Sequence, residues 1–158
     1  EVAAVDGALG FSVRIPSEQA GNQAVIARAA ALLNEPEGVL VISDIDDTVK
    51  ITEVFLGKKM VARNTFLEEF RPVSGMNELY TAWAEDIGAA FAFVSNSPPE
   101  FLEPLREFLN ASGFPRAPIH LRPLVLTKEE RRAFKERAIA ELLDRYRRRK
   151  VLLVGDSG

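Results

Sequence analysis

The chain has 158 residues, of which 47% are hydrophobic and 27% are charged, with a formal net charge of −3. This length and composition are typical of one soluble globular domain that buries an adequate core without a disulfide or a structural metal. With no Cys and one His, the sequence excludes zinc–thiolate sites, iron–sulfur clusters and thiol nucleophiles, and it disfavours multi-His sites. No apolar run approaches the roughly 20 residues of a membrane-spanning helix, and no signal-peptide pattern is visible. We therefore expect a soluble chain, and the sequence does not indicate its compartment.

Residues 1–37 are predicted to be an N-terminal appendage or the remnant of a preceding domain. Apolar and polar residues alternate over residues 11–15, which indicates a strand with one exposed face. Residues 17–34 are rich in Ala and end before a Pro and a Gly, a pattern that predicts a helix.

Residues 38–158 show strands that alternate with helices. Short apolar runs, each bounded by turn signals, predict buried strands at residues 39–43, 89–94, 119–121 and 151–154. Apolar residues spaced i, i+3, i+4 and i+7 predict amphipathic helices at residues 76–86, 101–109 and 134–146. Thr127 and Glu130 form a capping-box pattern ahead of the last helix. The strands are continuously apolar, so the predicted fold is α/β, a three-layer α/β/α doubly wound parallel sheet without a large cap.

Polar clusters follow three of the predicted strands, at residues 44–47, 95–97 and 156–157. The carboxyl ends of parallel strands meet at one edge of the sheet, where such folds bind their ligands. We therefore expect the three clusters to form a single site.

The first cluster begins an Asp-x-Asp-x-Thr pattern formed by Asp44, Asp46 and Thr48. Alternate residues leaving a strand point the same way, so both carboxylates are expected to face the site while Ile45 faces the interior. Carboxylates held this close repel one another unless they share a cation, and hard oxygen ligands favour Mg²⁺. The alternative is an acidic turn with Asp as a helix cap, which the convergence of two further clusters disfavours.

The other clusters supply the groups that phosphoryl transfer requires. Ser95 and Asn96 offer hydrogen-bond donors, Lys135 offers a fixed positive charge, and Asp156 can complete a metal site with Asp44. Each residue alone has an ordinary structural explanation as a turn residue or a solvated helix residue. Their order along the chain is what points to one reaction.

These clusters, in this order, resemble the four motifs of the haloacid dehalogenase superfamily, and more closely the actin-patch phosphatidate phosphatase family, which is distantly akin to lipins. The resemblance runs from Gly38 to the end of the chain. The strings that show it are Ser43-Asp44-Ile45-Asp46-Asp47-Thr48-Val49-Lys50, Arg63-Asn64-Thr65-Phe66, Pro72-Val73-Ser74-Gly75-Met76, Val94-Ser95-Asn96-Ser97-Pro98, His120-Leu121-Arg122-Pro123 and Val154-Gly155-Asp156-Ser157-Gly158.

The resemblance implies a role for each matching residue. Asp44 is the expected nucleophile, which forms an aspartyl-phosphate that water then hydrolyses. Asp46 is expected to protonate the leaving oxygen and then to deprotonate the water, with Thr48 steadying it. Ser95, together with the adjacent Asn96, is expected to bind the phosphoryl group, and Lys135 to neutralise its charge.

The same resemblance implies a Mg²⁺ cofactor held by Asp44, the backbone carbonyl of Asp46, and Asp156. It implies phosphatidate as the substrate and diacylglycerol as the product, with peripheral contact to a membrane surface. No nucleic-acid partner is expected, because the basic tract is short, the net charge is negative and no binding motif accompanies it. Two other functions stay open on the residues alone: a phosphatase for a soluble or protein-borne phosphate, and a non-catalytic phosphatidate-binding module. The family continues beyond Gly158 to a second acidic residue, so the domain is expected to be incomplete at its C-terminus.

Four features have two interpretations each. The cation of the third motif is expected to be Lys135, with Lys128 as the rival. Residues 128–150 include ten basic and five acidic residues. This basic tract either binds phosphates or is a solvated helix end, and we favour the helix end. Residues 49–70 are either a flap over the site or a β-hairpin packed on the domain. His120 is either catalytic or, as we favour, a structural hydrogen-bonding residue.

Overall fold

The computed structural model describes residues 2–5, 8–15, 25–51, 70–123, 127, 129–130 and 133–156. Contacts between Cα atoms divide the chain into two units, Glu1–Glu35 and Pro36–Gly158. The first unit contains a three-stranded antiparallel sheet in the order β1-β2-β3. Its strands are β1 (Val2–Val5), β2 (Ala8–Ile15) and β3 (Val25–Leu32).

The helix predicted over residues 17–34 is wrong, because Val25–Leu32 is a strand. β3 pairs with β2 along its whole length, from Ile15 opposite Val25 to Ala8 opposite Leu32. Helix propensity differs between residues by less than about 1 kcal/mol, so a continuous ladder with a neighbouring strand overrides it. The strand predicted around residues 11–15 is confirmed, whereas residues 16–24 lie outside the described part of the chain.

The second unit contains a four-stranded parallel sheet in the order β8-β7-β4-β9. Its strands are β4 (Gly38–Asp44), β7 (Ala90–Ser95), β8 (Ile119–Leu121) and β9 (Arg149–Val154). A short antiparallel pair is formed by β5 (Lys50–Ile51) and β6 (Arg71–Pro72). The helices are α1 (Met76–Ile87), α2 (Leu102–Ala111), which follows the 3-10 turn Pro99–Phe101, and α3 (Phe134–Arg145). All four predicted strands and all three predicted helices of this unit are confirmed, with ends that move by at most two residues.

Helices cover both faces of this sheet, which makes three layers. On one face, Val41 and Phe93 pack in a core cluster with side chains of α1 and α2. On the other face, Leu40 and Ala92 pack with Leu142 of α3. Since successive strand residues point to opposite faces, burial of both faces explains why these strands are continuously apolar. The predicted α/β parallel fold is confirmed.

The predicted capping box is present, one turn ahead of α3. The Thr127 N–H donates to Glu130 Oε2 at 2.8 Å, and the Glu130 N–H donates to Thr127 Oγ1 at 3.2 Å. Hydrogen bonds to the Glu130 carboxylate from the backbone and the side chain of Thr127 lower the pKa of Glu130 below its ordinary value. Glu129 and Glu130 are helical, and α3 begins at Phe134 after a turn at Ala133.

The described ranges contain neither a cap domain between the motifs nor a helix with the length and apolar character needed to cross a bilayer. The segment predicted as flap or hairpin starts with β5 and returns through β6. Its central residues, 52–69, lie outside the part of the chain that the structure describes, and this includes the string Arg63-Asn64-Thr65-Phe66.

His120 lies in β8, paired with Val94 of β7. Its Nε2 atom is buried and has no hydrogen-bond partner among the described residues, so the structural hydrogen bond expected for this imidazole is absent at that nitrogen. Burial, together with the positive charge of Arg145, lowers the pKa of His120 below 6.5, and Glu141 offsets part of the shift. Protonation of this imidazole is therefore less favourable in the folded state than in the unfolded state.

The depressed pKa of His120 predicts a loss of stability in mild acid. Below the unfolded value of 6.5 the unfolded chain takes up this proton more readily, so the free energy of unfolding falls as the pH drops. We expect the thermal midpoint to fall more between pH 7.5 and pH 5 in the wild-type protein than in His120→Leu. Equal falls in the two proteins would contradict this assignment.

Candidate active site

The site begins at the carboxyl end of β4, where alternate side chains separate into core and site. Ile45 is fully buried in the core cluster of the α1 and α2 face. Asp44 and Asp46, on either side of it, keep 10% and 32% of their side chains exposed. Burial of the isoleucine therefore anchors the loop while both carboxylates remain at the surface of the sheet edge.

The loop that follows β4 is closed on itself by backbone hydrogen bonds. The N–H groups of Thr48, Val49 and Lys50 all donate to the carbonyl oxygen of Ile45, at 3.4, 3.0 and 2.9 Å. Asp47 has a φ of 58°, in the left-handed region that Asp tolerates better than most residues, and its N–H donates to the Lys50 carbonyl at 2.8 Å. The loop presents its side chains from a fixed backbone.

Asp44 is held through both carboxylate oxygens. Lys135 of α3 contacts Oδ2 with its Nζ at 2.6 Å, and the Ile45 N–H donates to Oδ1 at 2.8 Å. The site therefore brings together the two residues expected to be nucleophile and cation, which lie 91 residues apart in the chain. The rival, Lys128, lies outside the described residues.

Asp46 has a different lysine and two hydroxyl partners. Lys50 Nζ lies 2.8 Å from Oδ1, and Oδ2 accepts hydrogen bonds from Ser95 Oγ at 2.9 Å and from Ser97 Oγ at 3.4 Å. Burial alone would raise the pKa of Asp46, but Lys50 and the two serines outweigh it and hold the pKa below its ordinary value. The carboxyl group is therefore ionised at neutral pH.

Lys50 is a site residue that the sequence analysis missed. It is 8% exposed, and besides its ion pair with Asp46 it places Nζ 4.7 Å from the centroid of the Phe70 ring. A buried ammonium group is unfavourable unless it is paired, and here a carboxylate and an aromatic face share its charge. The only signal was its place at the end of the first motif, which did not show where its side chain points.

The hydroxyl groups of Ser43 and Tyr80 form hydrogen bonds that help to hold the end of β4, and the sequence analysis missed them. Ser43 Oγ donates to the backbone carbonyl of Asp44 at 2.7 Å and lies 2.8 Å from Tyr80 Oη. Since a serine hydroxyl has one proton, Tyr80 must be the donor in the second bond. Burial raises the pKa of Tyr80, although the hydrogen bond with Ser43 opposes the shift. In the sequence, Tyr80 is recognisable only as one of the apolar-face residues of the helix predicted over residues 76–86.

Ser95, the last residue of β7, lies in the site, whereas the side chain of the next residue, Asn96, is exposed. Asn96 takes part through its backbone carbonyl, which accepts a hydrogen bond from Arg122. Thr48 Oγ1 is buried without a partner among the described residues, so the expected bond from this hydroxyl to Asp46 is absent in this arrangement. Lys50 and Ser95 hold that carboxylate in its place.

A pocket of about 320 Å³ is lined by Asp44, Lys135 and Asp156. The backbone of Gly155 passes close to the first aspartate, since a Cβ on this glycine would lie 3.9 Å from the Asp44 Cβ. The rest of the pocket wall is mainly apolar, formed by Ile42, Val94, Ile139, Leu153 and Val154. The pocket therefore joins a charged end to an apolar wall.

The residues of this pocket fit Mg²⁺. Only hard oxygen donors are present, from Asp44, Asp156 and the backbone. Among the described residues no three acidic or histidine side chains form a ready-made metal cage. Mg²⁺ seldom needs one, because it is usually held by one or two carboxylates and completes its shell with water and substrate phosphate.

The three arginines at residues 147–149 lie away from the site, at the other end of the sheet. Arg149 is 7% exposed, starts β9 and donates to the Val39 carbonyl at 2.8 Å, near the amino end of β4. Arg148 pairs with Glu37, and Arg147 pairs with Asp144 of α3. These contacts favour the interpretation of this part of the basic tract as a helix end and strand start, whereas Lys135, in the same tract, contacts Asp44.

Comparisons with known proteins identify the family of this chain. Residues 39–158 match the family model described as the catalytic domain of phosphatidate phosphatase APP1. The chain is 33% identical over 132 residues to phosphatidate phosphatase APP1 of Saccharomyces cerevisiae and 32% identical over 128 residues to an uncharacterised protein of Schizosaccharomyces pombe. These matches cover 78% and 77% of this chain but only 22% and 21% of the two yeast proteins. Because the family model matches most of its length, the chain belongs to the family of the APP1 phosphatidate phosphatase catalytic domain.

Proposed function

We propose that this chain hydrolyses phosphate monoesters through an aspartyl-phosphate on Asp44, with phosphatidate as its substrate and Mg²⁺ as its cofactor. The observation that supports this most directly is the position of Asp44 at the end of β4, 2.6 Å from Lys135 and in one pocket with Asp156. Family membership supports the substrate, since the yeast relative is named a phosphatidate phosphatase.

In the first step a carboxylate oxygen of Asp44 attacks phosphorus and the bond to the ester oxygen breaks. Lys135 offsets the negative charge that gathers between the nucleophile and the phosphoryl oxygens. The leaving oxygen takes its proton from Asp46. Because the pKa of Asp46 lies below its ordinary value in the free protein, Asp46 must take up this proton when the substrate binds, from water or from a monoprotonated phosphate group, whose negative charge raises the proton affinity of the carboxylate.

In the second step water attacks the phosphorus of the aspartyl-phosphate and the bond to Asp44 breaks. Asp46, again ionised, removes a proton from that water, and inorganic phosphate leaves. Ser95 stays close enough to orient Asp46, since its hydroxyl lies 2.9 Å from Oδ2. The covalent intermediate divides one slow displacement into two faster ones.

Asp44, the backbone carbonyl of Asp46, and Asp156 are the groups that would hold Mg²⁺. When bound, Mg²⁺ supplies positive charge that neutralises the phosphoryl oxygens. The apolar wall of the pocket, which includes the half-exposed Leu153, suits the glycerol and acyl portions of a lipid phosphate. Hydrolysis of phosphatidate at this site would release diacylglycerol and phosphate.

Asp44→Asn should lower phosphate release by at least about 1,000-fold, because the amide cannot form the acyl phosphate. Quenching the reaction with acid and isolating ³²P-labelled protein tests the intermediate itself. Asp144→Asn makes the same chemical change at an exposed residue of α3 and should leave both measurements unchanged. Wild-type turnover by Asp44→Asn would exclude Asp44 as the nucleophile.

Lys135→Ala should lower kcat/KM by about 30- to 1,000-fold, the effect of deleting one preorganised electrostatic group, which is about 2–4 kcal/mol. Lys150→Ala, at an exposed lysine of β9, is the matched control and should behave as wild type. If Lys128→Ala is crippling and Lys135→Ala is not, the cation has been assigned to the wrong lysine.

Removal of Mg²⁺ should abolish phosphate release, and adding it back should restore release. Asp156→Asn should raise the Mg²⁺ concentration that gives half-maximal activity by about tenfold, because one of the two carboxylates in the pocket is lost.

Phosphatidate in mixed micelles should be hydrolysed faster than a soluble aryl phosphate. Equal rates would indicate a phosphatase without lipid specificity, and lipid binding without turnover would indicate a binding module.

A further inference from the structure

Arg122 makes two hydrogen bonds to the loop that follows β7, and the proposed mechanism gives it no part. It comes directly after β8, whose last residue, Leu121, pairs with Ser95. The Arg122 side chain donates from Nε to the Asn96 carbonyl at 2.9 Å. Its backbone N–H donates to the Ser97 carbonyl at 3.1 Å. One residue thus holds two consecutive carbonyl groups of the loop.

The first of these bonds fixes the orientation of a whole peptide plane. The Asn96 carbonyl and the Ser97 N–H belong to one planar trans peptide group, in which they point in opposite directions. With the carbonyl turned towards Arg122, the N–H is turned the other way, where it donates to Ser95 Oγ at 2.9 Å. Rotation of this plane would break both bonds together.

The N–H group of this peptide plane is connected through Ser95 to Asp46, the second aspartate of the site. Ser95 Oγ accepts from the Ser97 N–H and donates its own proton to Asp46 Oδ2 at 2.9 Å. Ser95 is fully buried, so the Ser97 N–H provides its oxygen with the hydrogen-bond donor that water would otherwise supply. Hydrogen bonds in such a series polarise and strengthen one another.

We propose that Arg122 is a positioning residue for the reaction. It orients the Asn96–Ser97 peptide, and through it the Ser95 hydroxyl, towards Asp46. Arg122 acts on the phosphate-binding end of the site without touching the reacting atoms. The proposal rests on the proposed function, since it needs a phosphatase reaction to position.

The test compares Arg122→Ala, Arg122→Lys and Ser95→Ala, alone and combined, with a soluble aryl phosphate and with phosphatidate. Every Arg122 variant keeps the backbone bond to Ser97, so we expect the fold and the thermal midpoint to be preserved. Arg122→Ala should lower kcat/KM by about 10- to 30-fold on both substrates, the scale of a small misplacement of a reacting group. Lysine can still donate to the Asn96 carbonyl and should recover part of this loss.

Coupling to Ser95 separates positioning from a general structural effect. If Arg122 acts through the Ser95 hydroxyl, Arg122→Ala should cost less than about twofold once Ser95 is already alanine, because effects on one chain of contacts do not add. Arg106→Ala, which removes an exposed arginine paired with Glu103 on α2, should leave activity unchanged. The same loss in both Ser95 backgrounds would overturn the proposal.

The remaining outcomes are also decisive. A loss with phosphatidate alone would overturn the positioning role, since it would show that the guanidinium contacts the lipid beyond its phosphate. Wild-type kinetics for Arg122→Ala would overturn it as well. If the wild-type protein releases phosphate from neither substrate, the proposed function itself is wrong. If the wild-type protein is active and the Arg122 variants are equally active, only the positioning role of Arg122 is wrong.

Discussion

Hydrogen bonding of β4 along both of its edges determines where the strand-end polar groups of the site lie. β7 pairs with it on one side and β9 on the other, both parallel, so all three strands deliver their carboxyl ends to one edge. Burial of both faces of β4 fixes its register, because a shift of one residue would exchange Leu40 and Val41 between the two helical layers. Asp44, Ser95 and Asp156 are neighbours as a consequence of this register.

The edge so formed holds its carboxylates in separate environments. Asp44 has a lysine from α3, and Asp46 has a lysine from the start of β5, so each negative charge has its own cation. For Asp46, the ion pair with Lys50 helps to outweigh burial and to hold the pKa below its ordinary value. Among the described residues, Asp46 also accepts hydrogen bonds from the Ser95 and Ser97 hydroxyls, whereas the Asp44 carboxylate is contacted by the Lys135 ammonium and the Ile45 N–H.

Sequence patterns predicted this fold where the pattern is local and failed where the decisive contact is distant. Continuously apolar runs predicted the strands of the second unit because burial on both faces leaves a visible pattern. Val25–Leu32 was mistaken for part of a helix because its partner strand, and not its own composition, determines its conformation. Asp44 and Lys135 could be expected from motif order, but the directions of Lys50 and Tyr80 could not, since tertiary packing sets them. Arg122 was hidden for another reason: it binds main-chain carbonyls, which any residue type provides.

The distances along the chain between the partners have a consequence for folding. Asp44 and Lys135 are 91 residues apart, and Asp46 and Ser95 are 49 apart, so the contacts that join the separate motifs into one site are non-local. Such contacts form slowly, because the entropy of closing long loops must be lost before the contacts reward it. On a ribosome the aspartate loop emerges before α3 and β9. A nascent chain therefore carries the acidic loop for a time without the lysine of α3, and the charge pattern of the site can assemble only after both of these elements have been synthesised.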